Sequence, residues 1–275
     1  MLTDVVASLH FDRVAAGAAP RSWALWTHGI FGTGGNLRSL ARGFVERRPE
    51  WGVALVDLRL HGRSPAGEPP HTIAALAEDV IALAGSLGAT ALLGHSLGGK
   101  VMLQALALAP VSMAQTWVLD ATPGARPGAW RDRANPVSKL LPLMERLPAR
   151  FAQREEFVAA ILRDGHAESL ARWLAMNLVP ADDGGYRLRL DLGAMRALLD
   201  DYCARDLWRE TFDPARGDVE LVLATRNSSV DTADRARLAT APPHVQVHPL
   251  AAGHWLHVDA PDALLSLLVE RFARL

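Results

Sequence analysis

A chain of 275 residues with 49% hydrophobic and 21% charged residues is long enough for one large domain carrying an insertion. Its formal net charge of −1 argues against nucleic-acid binding, and its one cysteine, Cys203, excludes an intrachain disulfide. Because no long uninterrupted apolar run occurs, we expect a cytoplasmic protein that does not bind a membrane. We also expect a monomer or homodimer that acts on a small molecule and does not bind nucleic acid.

Short aliphatic runs alternate with longer helical stretches along most of the chain. Val5 to Val14 is a candidate antiparallel edge strand. The other strand candidates are Trp23 to Thr27, Val53 to Val56, Ala91 to Leu93, Trp117 to Leu119, Val219 to Leu223 and Val245 to Val247. Helical spacing appears in Leu37 to Arg47, Ile73 to Leu87, Val101 to Ala109, Thr232 to Leu238 and Pro261 to Leu275. This alternation predicts an α/β fold with a mostly parallel sheet flanked by helices.

Residues 123–214 break this alternation. The segment opens with prolines, glycines and arginines, and a turn is evident at residues 182–185. Helical periodicity appears in Glu155 to Leu162, Glu168 to Leu178 and Ala194 to Leu207. We predict a helical cap over residues 123–214, inserted into a core domain of residues 1–122 and 215–275.

Large apolar side chains in the cap are candidates for an acyl pocket. They are Trp130, Leu140, Met144, Trp173, Met176 and Trp208. For most of them, packing inside the cap's own small core is the favoured alternative, because large apolar residues usually serve to fill such cores.

The sequence Gly94-His95-Ser96-Leu97-Gly98 stands between a candidate strand and a candidate helix. A G-x-S-x-G motif in this setting predicts a sharp turn that exposes a nucleophilic serine at the carboxyl edge of the sheet. The flanking glycines leave room for the turn, and the helix that follows supplies backbone N–H groups. Ser96 is therefore the candidate nucleophile, and the N–H of Leu97 is a candidate oxyanion donor.

A serine nucleophile needs a general base, and the chain has ten histidines. His254 follows Gly253 in the loop between the last strand and the last helix, from which an imidazole can reach over the sheet edge. His28, His61 and His95 lie beside glycines in tight loops, and we expect them to serve loop structure and not to act as the base. His254 is therefore the candidate base. A metal site with His257, three residues on, lacks a cysteine or carboxylate at familiar spacing, so no metal is expected.

The base needs an acid to orient it, and two aspartates are candidates. Asp120 ends the strand that precedes the cap, at the sheet edge where Ser96 is expected. Asp231 follows the next strand more distantly, and it would more naturally cap a helix. We favour Asp120, with Asp231 as the alternative.

The second oxyanion donor is expected in the loop His28 to Gly35, whose glycines allow the backbone to turn its amides toward the site. Ile30 is the first choice for this donor and Phe31 the next. A phosphate cradle is the alternative use of such a loop, but no Lys-Ser or Lys-Thr pair follows these glycines.

Several segments together resemble the α/β-hydrolase esterases, and most of all the branch of YbfF-type bacterial esterases and their mitochondrial relatives. The segments are residues 28–32, 57–64, 77–80, 93–100 and 252–254. The resemblance implies a serine hydrolase of carboxylic esters or thioesters, with no cofactor, whose acid follows the strand before the cap, as Asp120 does. The chain departs from other branches at residues 226–229, which lack the aspartate found there.

Such a site predicts an acyl-enzyme reaction through Ser96, His254 and Asp120. A carbon–carbon bond hydrolase or lyase and a haloperoxidase-like enzyme can use the same triad, and a non-catalytic binding protein is a further alternative. Arg59 and Arg63 are candidates to attract an anionic substrate such as a coenzyme A thioester. Solvation or a structural ion pair is the favoured alternative for both arginines.

Overall fold

The computed structural model describes residues 6–17, 19–109, 113–132 and 137–275. The strands are β1 (Phe11–Val14), β2 (Ser22–Thr27), β3 (Trp51–Val56), β4 (Ala89–His95), β5 (Gln115–Leu119), β6 (Arg150–Phe151), β7 (Leu178–Pro180), β8 (Tyr186–Leu188), β9 (Asp218–Ala224) and β10 (Val245–Leu250). The α-helices are α1 (Arg38–Arg47), α2 (Ile73–Leu87), α3 (Leu97–Leu108), α4 (Val137–Arg146), α5 (Arg154–Arg163), α6 (Glu168–Leu174), α7 (Leu192–Ala204), α8 (Trp208–Thr211), α9 (Thr232–Leu238), α10 (Leu256–Asp259) and α11 (Pro261–Arg271).

The central sheet has the strand order β1-β3-β2-β4-β5-β9-β10. Its strands run parallel except β1, which pairs antiparallel with β3 at the edge. Successive side chains point to opposite faces: Leu25 and Leu92 pack into one apolar cluster with α2 and α3, whereas Trp26 and Leu93 pack into another with α1 and α11. Both faces are thus covered, and the predicted α/β-hydrolase fold is confirmed.

Most predicted elements are present, with shifted ends. The helices predicted over Ile73 to Leu87 and Thr232 to Leu238 match α2 and α9 residue for residue. The helix predicted from Val101 begins at Leu97, because the turn at Ser96 leads straight into it, and the last helix ends at Arg271 instead of Leu275. The predicted edge strand is β1, and Val5, where the prediction began, lies outside the described residues.

Between β5 and β9 the chain leaves the sheet and forms α4 to α8 together with a small sheet of order β6-β8-β7. The helix predicted over Glu168 to Leu178 was wrong at its end: α6 stops at Leu174, and Leu178 instead pairs with Leu188 across the predicted turn at residues 182–185. The small sheet was not predicted. The division of the chain into a cap of residues 123–214 and a core domain stays a prediction.

Backbone hydrogen bonds close the base of this inserted segment. The N–H of Leu207 donates to the carbonyl of Pro123 at 2.9 Å, and the N–H of Arg126 donates to the carbonyl of Cys203 at 2.6 Å. The buried Lys100 of α3 donates to the carbonyl of Gly124 at 2.8 Å. Residues 123–126 and residues 203–207 are thereby held side by side against the helix that follows Ser96.

Within the ranges that the structure describes, every helix is too short or too polar to span a lipid bilayer.

Candidate active site

Ser96 occupies a sharp turn between β4 and α3, with backbone angles φ 52° and ψ −113°. A Cβ on Gly94 would lie 2.5 Å from the nitrogen of Gly99, and a Cβ on Gly98 would lie 2.7 Å from the carbonyl oxygen of His28. Both are too close for any side chain. The N–H of Ser96 donates to the carbonyl of Leu119 at 2.9 Å, which ties the turn to the end of β5. The glycines flanking Ser96 are therefore required by the turn that presents the half-buried serine.

The structure brings His254 and Asp120 together. Nδ1 of His254 lies 2.7 Å from Oδ2 of Asp120, whose side chain is completely buried. Because an ionised carboxylate only accepts hydrogen bonds, this contact places the imidazole hydrogen on Nδ1 and leaves Nε2 unprotonated in the neutral ring.

Three further donors hold the Asp120 carboxylate. Oδ1 accepts from the N–H of Ala224 at 3.0 Å and from the hydroxyl of Ser228 at 2.5 Å, and Oδ2 accepts from the N–H of Ser229 at 2.9 Å. Burial alone would raise the pKa of Asp120, but the contacts from His254, Ser228 and Ser229 outweigh burial and hold that pKa below its ordinary value. The carboxylate is therefore ionised at neutral pH.

Asp231 lies elsewhere. Its Oδ1 accepts the N–H of Asp234 at the start of α9, and its Oδ2 pairs with Arg126 at 2.8 Å. It is therefore a helix cap, as expected of the alternative candidate, and the contact with His254 is made by Asp120.

Two more histidines surround His254. Nε2 of His95 donates to the carbonyl of His254 at 2.9 Å, and the rings of His254 and His257 lie 4.9 Å and 5.0 Å from the ring of His95. Burial lowers the pKa of His95 well below its ordinary value, and it lowers the pKa of His257 to about 4. Both are neutral at pH 7. In the described part of the chain, no three His, Cys, Asp or Glu side chains are grouped to hold a metal ion.

The loop predicted to supply oxyanion donors lies directly against Ser96. A Cβ on Gly29 would lie 3.3 Å from the Cβ of Ser96, and the N–H of Gly98 donates to the carbonyl of His28 at 3.1 Å. No acceptor among the described residues takes the N–H groups of Ile30, Phe31 or Leu97. These three predicted donors are therefore not used by hydrogen bonds within the described residues, and their roles stay predictions.

The predicted pocket residues divide into two groups. Leu140, Trp130, Met144 and Trp208 are each only 3% exposed, and they pack inside apolar clusters. This placement favours the packing role for them. Trp173 lies 6.4 Å, ring to ring, from Trp255, the neighbour of His254, and Met176 is 53% exposed. A pocket role for this second group stays a prediction.

Arg59 and Arg63, the candidates to attract an anionic substrate, differ in their surroundings. Arg59 is buried, and its Nε and a terminal nitrogen donate to both oxygens of the buried Asp79, at 2.5 and 2.6 Å. Arg63 is exposed and pairs with Asp12 at 2.8 Å. The structural ion pair, which the sequence analysis favoured, therefore describes Arg59.

Three residues of this region were not predicted from the sequence. Ser228 and Ser229 hold Asp120 from the stretch where other branches carry an aspartate, and that departure was the available signal. Asn177, in the inserted segment, donates through Nδ2 to the carbonyl of Phe31 at 2.9 Å. Nothing in the sequence around Asn177 indicates this contact.

Known proteins resemble this chain over most of its length. The model of the alpha/beta hydrolase family matches residues 15–267. The chain is 28% identical to "sn-1-specific diacylglycerol lipase ABHD11" of Mus musculus over 254 residues, covering 89% of this chain and 80% of that protein. It is 29% identical to "Esterase YbfF" of Escherichia coli K12, with 86% and 88% covered. A solved marine microorganism esterase has a TM-score of 0.80 at 22% identity, with 96% and 99% covered.

Proposed function

The chain belongs to the alpha/beta hydrolase family, and within that family we propose that it is a serine hydrolase that cleaves carboxylic esters or thioesters through an acyl-enzyme. The observation that carries the proposal is the hydrogen bond between His254 and the buried Asp120, next to the strained turn at Ser96. The relatives named as an esterase and a lipase support the same class of reaction.

In the proposed acylation, Nε2 of His254 takes the proton of the Ser96 hydroxyl while Oγ bonds to the carbonyl carbon of the substrate. The carbonyl electron pair moves onto the oxygen, which the N–H groups of Ile30 and Leu97 stabilise, with Phe31 as the alternative to Ile30. The tetrahedral intermediate then expels the alcohol or thiol, which receives its proton from His254. Asp120 keeps the hydrogen on Nδ1 and stabilises the imidazolium.

In the proposed deacylation, His254 takes a proton from water, and the water oxygen attacks the acyl carbon. The intermediate collapses to release the carboxylic acid, and the proton on His254 returns to Ser96 Oγ. Every group in this cycle belongs to the chain, the substrate or water, so the proposed cycle needs no cofactor.

The direct test compares hydrolysis of short p-nitrophenyl esters and matching thioesters by the wild type and by Ser96→Ala. We expect Ser96→Ala to lose at least about a thousandfold in kcat, as nucleophile removal does in serine proteases. The matched control is Ser266→Ala, which removes an exposed hydroxyl bonded to the carbonyl of Asp262 and should leave the rate unchanged. Equal rates for wild type and Ser96→Ala would end the proposal. Labelling of Ser96 by a fluorophosphonate without ester turnover would instead point to carbon–carbon bond hydrolysis.

A further inference from the structure

One side chain of the inserted segment reaches into the loop beside Ser96. Asn177 is 2% exposed, and its Nδ2 donates to the carbonyl of Phe31 at 2.9 Å and to the carbonyl of Leu174 at 3.3 Å. Both acceptors are carbonyl oxygens, so the amide nitrogen must be the atom that faces them. The contact links residues 146 positions apart in the chain.

Phe31 is held in a conformation that a non-glycine residue rarely adopts. Its φ is 62°, and its side chain, 1% exposed, packs into the apolar cluster of the inserted segment with Leu60 and Phe157. A left-handed backbone costs of order 1 kcal/mol or more, so surrounding contacts must impose it. The side-chain packing and the bond from Asn177 are the contacts that hold Phe31 from the side of the inserted segment.

The backbone around Asn177 is itself fixed. Arg154 of α5 donates to the carbonyl of Ala175 and to the carbonyl of Leu178, each at 3.0 Å. The N–H of Arg189 donates to the carbonyl of Asn177 at 2.9 Å. These bonds anchor the short turn Ala175–Asn177 from two sides, so the amide reaches Phe31 from a rigid base.

We propose that Asn177 is a positioning residue for the oxyanion hole: by holding the carbonyl of Phe31, it fixes the turn of residues 29–32 and with it the N–H groups of Ile30 and Phe31, the predicted donors of the loop that lies against Ser96. This inference rests on the proposed function. The carbonyl of Phe31 shares a planar peptide unit with the N–H of Gly32, and that N–H donates to the carbonyl of Gly29 at 3.0 Å. The two bonds hold this peptide unit at both ends and close a turn whose central residues are Ile30 and Phe31, which restricts rotation of their unpaired N–H groups. Through Asn177 the inserted segment thereby contributes to the proposed oxyanion hole.

The test replaces the donor and keeps the volume. Asn177→Leu retains the size of the side chain without a donor, and Asn177→Ala is the second variant in case leucine disturbs folding. We expect either to lower kcat for p-nitrophenyl esters by about tenfold or more, with KM changed less than about twofold, because the interaction serves the transition state. Gln153→Ala is the control. Gln153 lies in the same segment at the N-cap of α5, and its exposed amide makes no side-chain hydrogen bond to the helix.

Inhibitor binding separates positioning from general loosening. A trifluoromethyl ketone, which forms a tetrahedral oxyanion with the serine, should bind the Asn177 variants more weakly by the same factor as kcat/KM falls. An ether analogue of the ester, which has no carbonyl oxygen and cannot form an oxyanion, should bind them as it binds the wild type. Unchanged kcat and ketone affinity in both variants, or a loss confined to KM, would overturn the inference. Failure of the proposed function is recognised separately, since wild type and Ser96→Ala would then hydrolyse esters equally.

Discussion

The imidazole of His254 and the carboxylate of Asp120 meet at 2.7 Å although 134 residues separate them in the chain. Asp120 ends β5 and His254 lies in the loop after β10, on the far side of β9 in the sheet. Three donors other than His254 fix the carboxylate, so its orientation does not depend on the histidine. The carboxylate is therefore held in place before any substrate binds.

Comparing Asp120→Asn with Asp231→Asn tests which aspartate orients the base. We expect Asp120→Asn to lose about 10⁴-fold in kcat, as the equivalent change does in a serine protease, because an amide can stabilise the wrong tautomer of the imidazole. Asp231→Asn should keep kcat within a few fold, since asparagine caps a helix as well as aspartate does. Steady-state kinetics on p-nitrophenyl acetate measures both, and the opposite order of losses would contradict this assignment.

Two glycine replacements should have opposite effects on stability. Gly94→Ala places a Cβ 2.5 Å from the nitrogen of Gly99, so the turn must distort and we expect a loss of several kcal/mol or a failure to fold. Gly85→Ala lies on the exposed side of α2, where a Cβ meets nothing within 4 Å, and it should stabilise the protein by about 0.5–1 kcal/mol. Urea denaturation of both variants measures the effect, and a destabilised Gly85→Ala would contradict this view of the helix.

Arg59 and Arg63 should differ in their contribution to stability. Arg59→Met leaves the buried carboxylate of Asp79 without its ion pair, and we expect a loss of about 3–5 kcal/mol. Arg63→Met removes an exposed pair and should cost about 1 kcal/mol or less. Urea denaturation at pH 7 compares them. Equal small losses would show that Asp79 does not depend on Arg59.

Stability should fall as the pH drops below about 6.5. Burial lowers the pKa of four histidines: His28 to about 4, His61 to about 3, His257 to about 4, and His95 well below its ordinary value. As pH falls from 6.5 toward 4, the unfolded chain takes up these protons and the folded protein does not, so the free energy of unfolding falls. Each histidine adds about 1.4 kcal/mol per pH unit at the steepest part.

Urea denaturation at pH 7, 6 and 5 measures this slope. The variant His257→Gln should show a slope shallower by about one proton, because it removes one of the four groups. A free energy of unfolding that stays constant from pH 7 to pH 5 would mean that these histidines are protonated in the folded protein.

Patterns that act locally made the sheet and the turn at Ser96 predictable. The aliphatic strands alternate with helices. The G-x-S-x-G motif shows that Gly94 and Gly98 are needed because a side chain at either position would clash with the turn. The start of α3 was placed four residues late, at Val101 instead of Leu97, because helical periodicity is visible only beyond the glycines that open it. Element type is thus easier to predict here than element ends.

Contacts between distant residues were not predictable in the same way. Ser228 and Ser229 reach Asp120 only because β9 lies beside β5 in the sheet, and serine in a loop has no pattern of its own. The strand pairing of Leu178 with Leu188 overrides the helical periodicity that runs through Glu168 to Leu178. The position of Asn177 could not be predicted for both reasons. Its contact with Phe31 joins distant residues, and the turn that carries it forms because α6 stops at Leu174.

Backbone hydrogen bonds join Leu207 to Pro123 and Arg126 to Cys203, so the residues between them form a loop that is closed at its base. The chain leaves the sheet at the carboxyl end of β5 and re-enters it at the amino end of β9, and in between these bonds hold residues 123–126 beside residues 203–207. The part between residues 126 and 203 can therefore change in length and content without altering the strand order. Replacing residues 127–202 by a different segment would therefore preserve the contact between Asp120 and His254 and change which substrates the enzyme accepts.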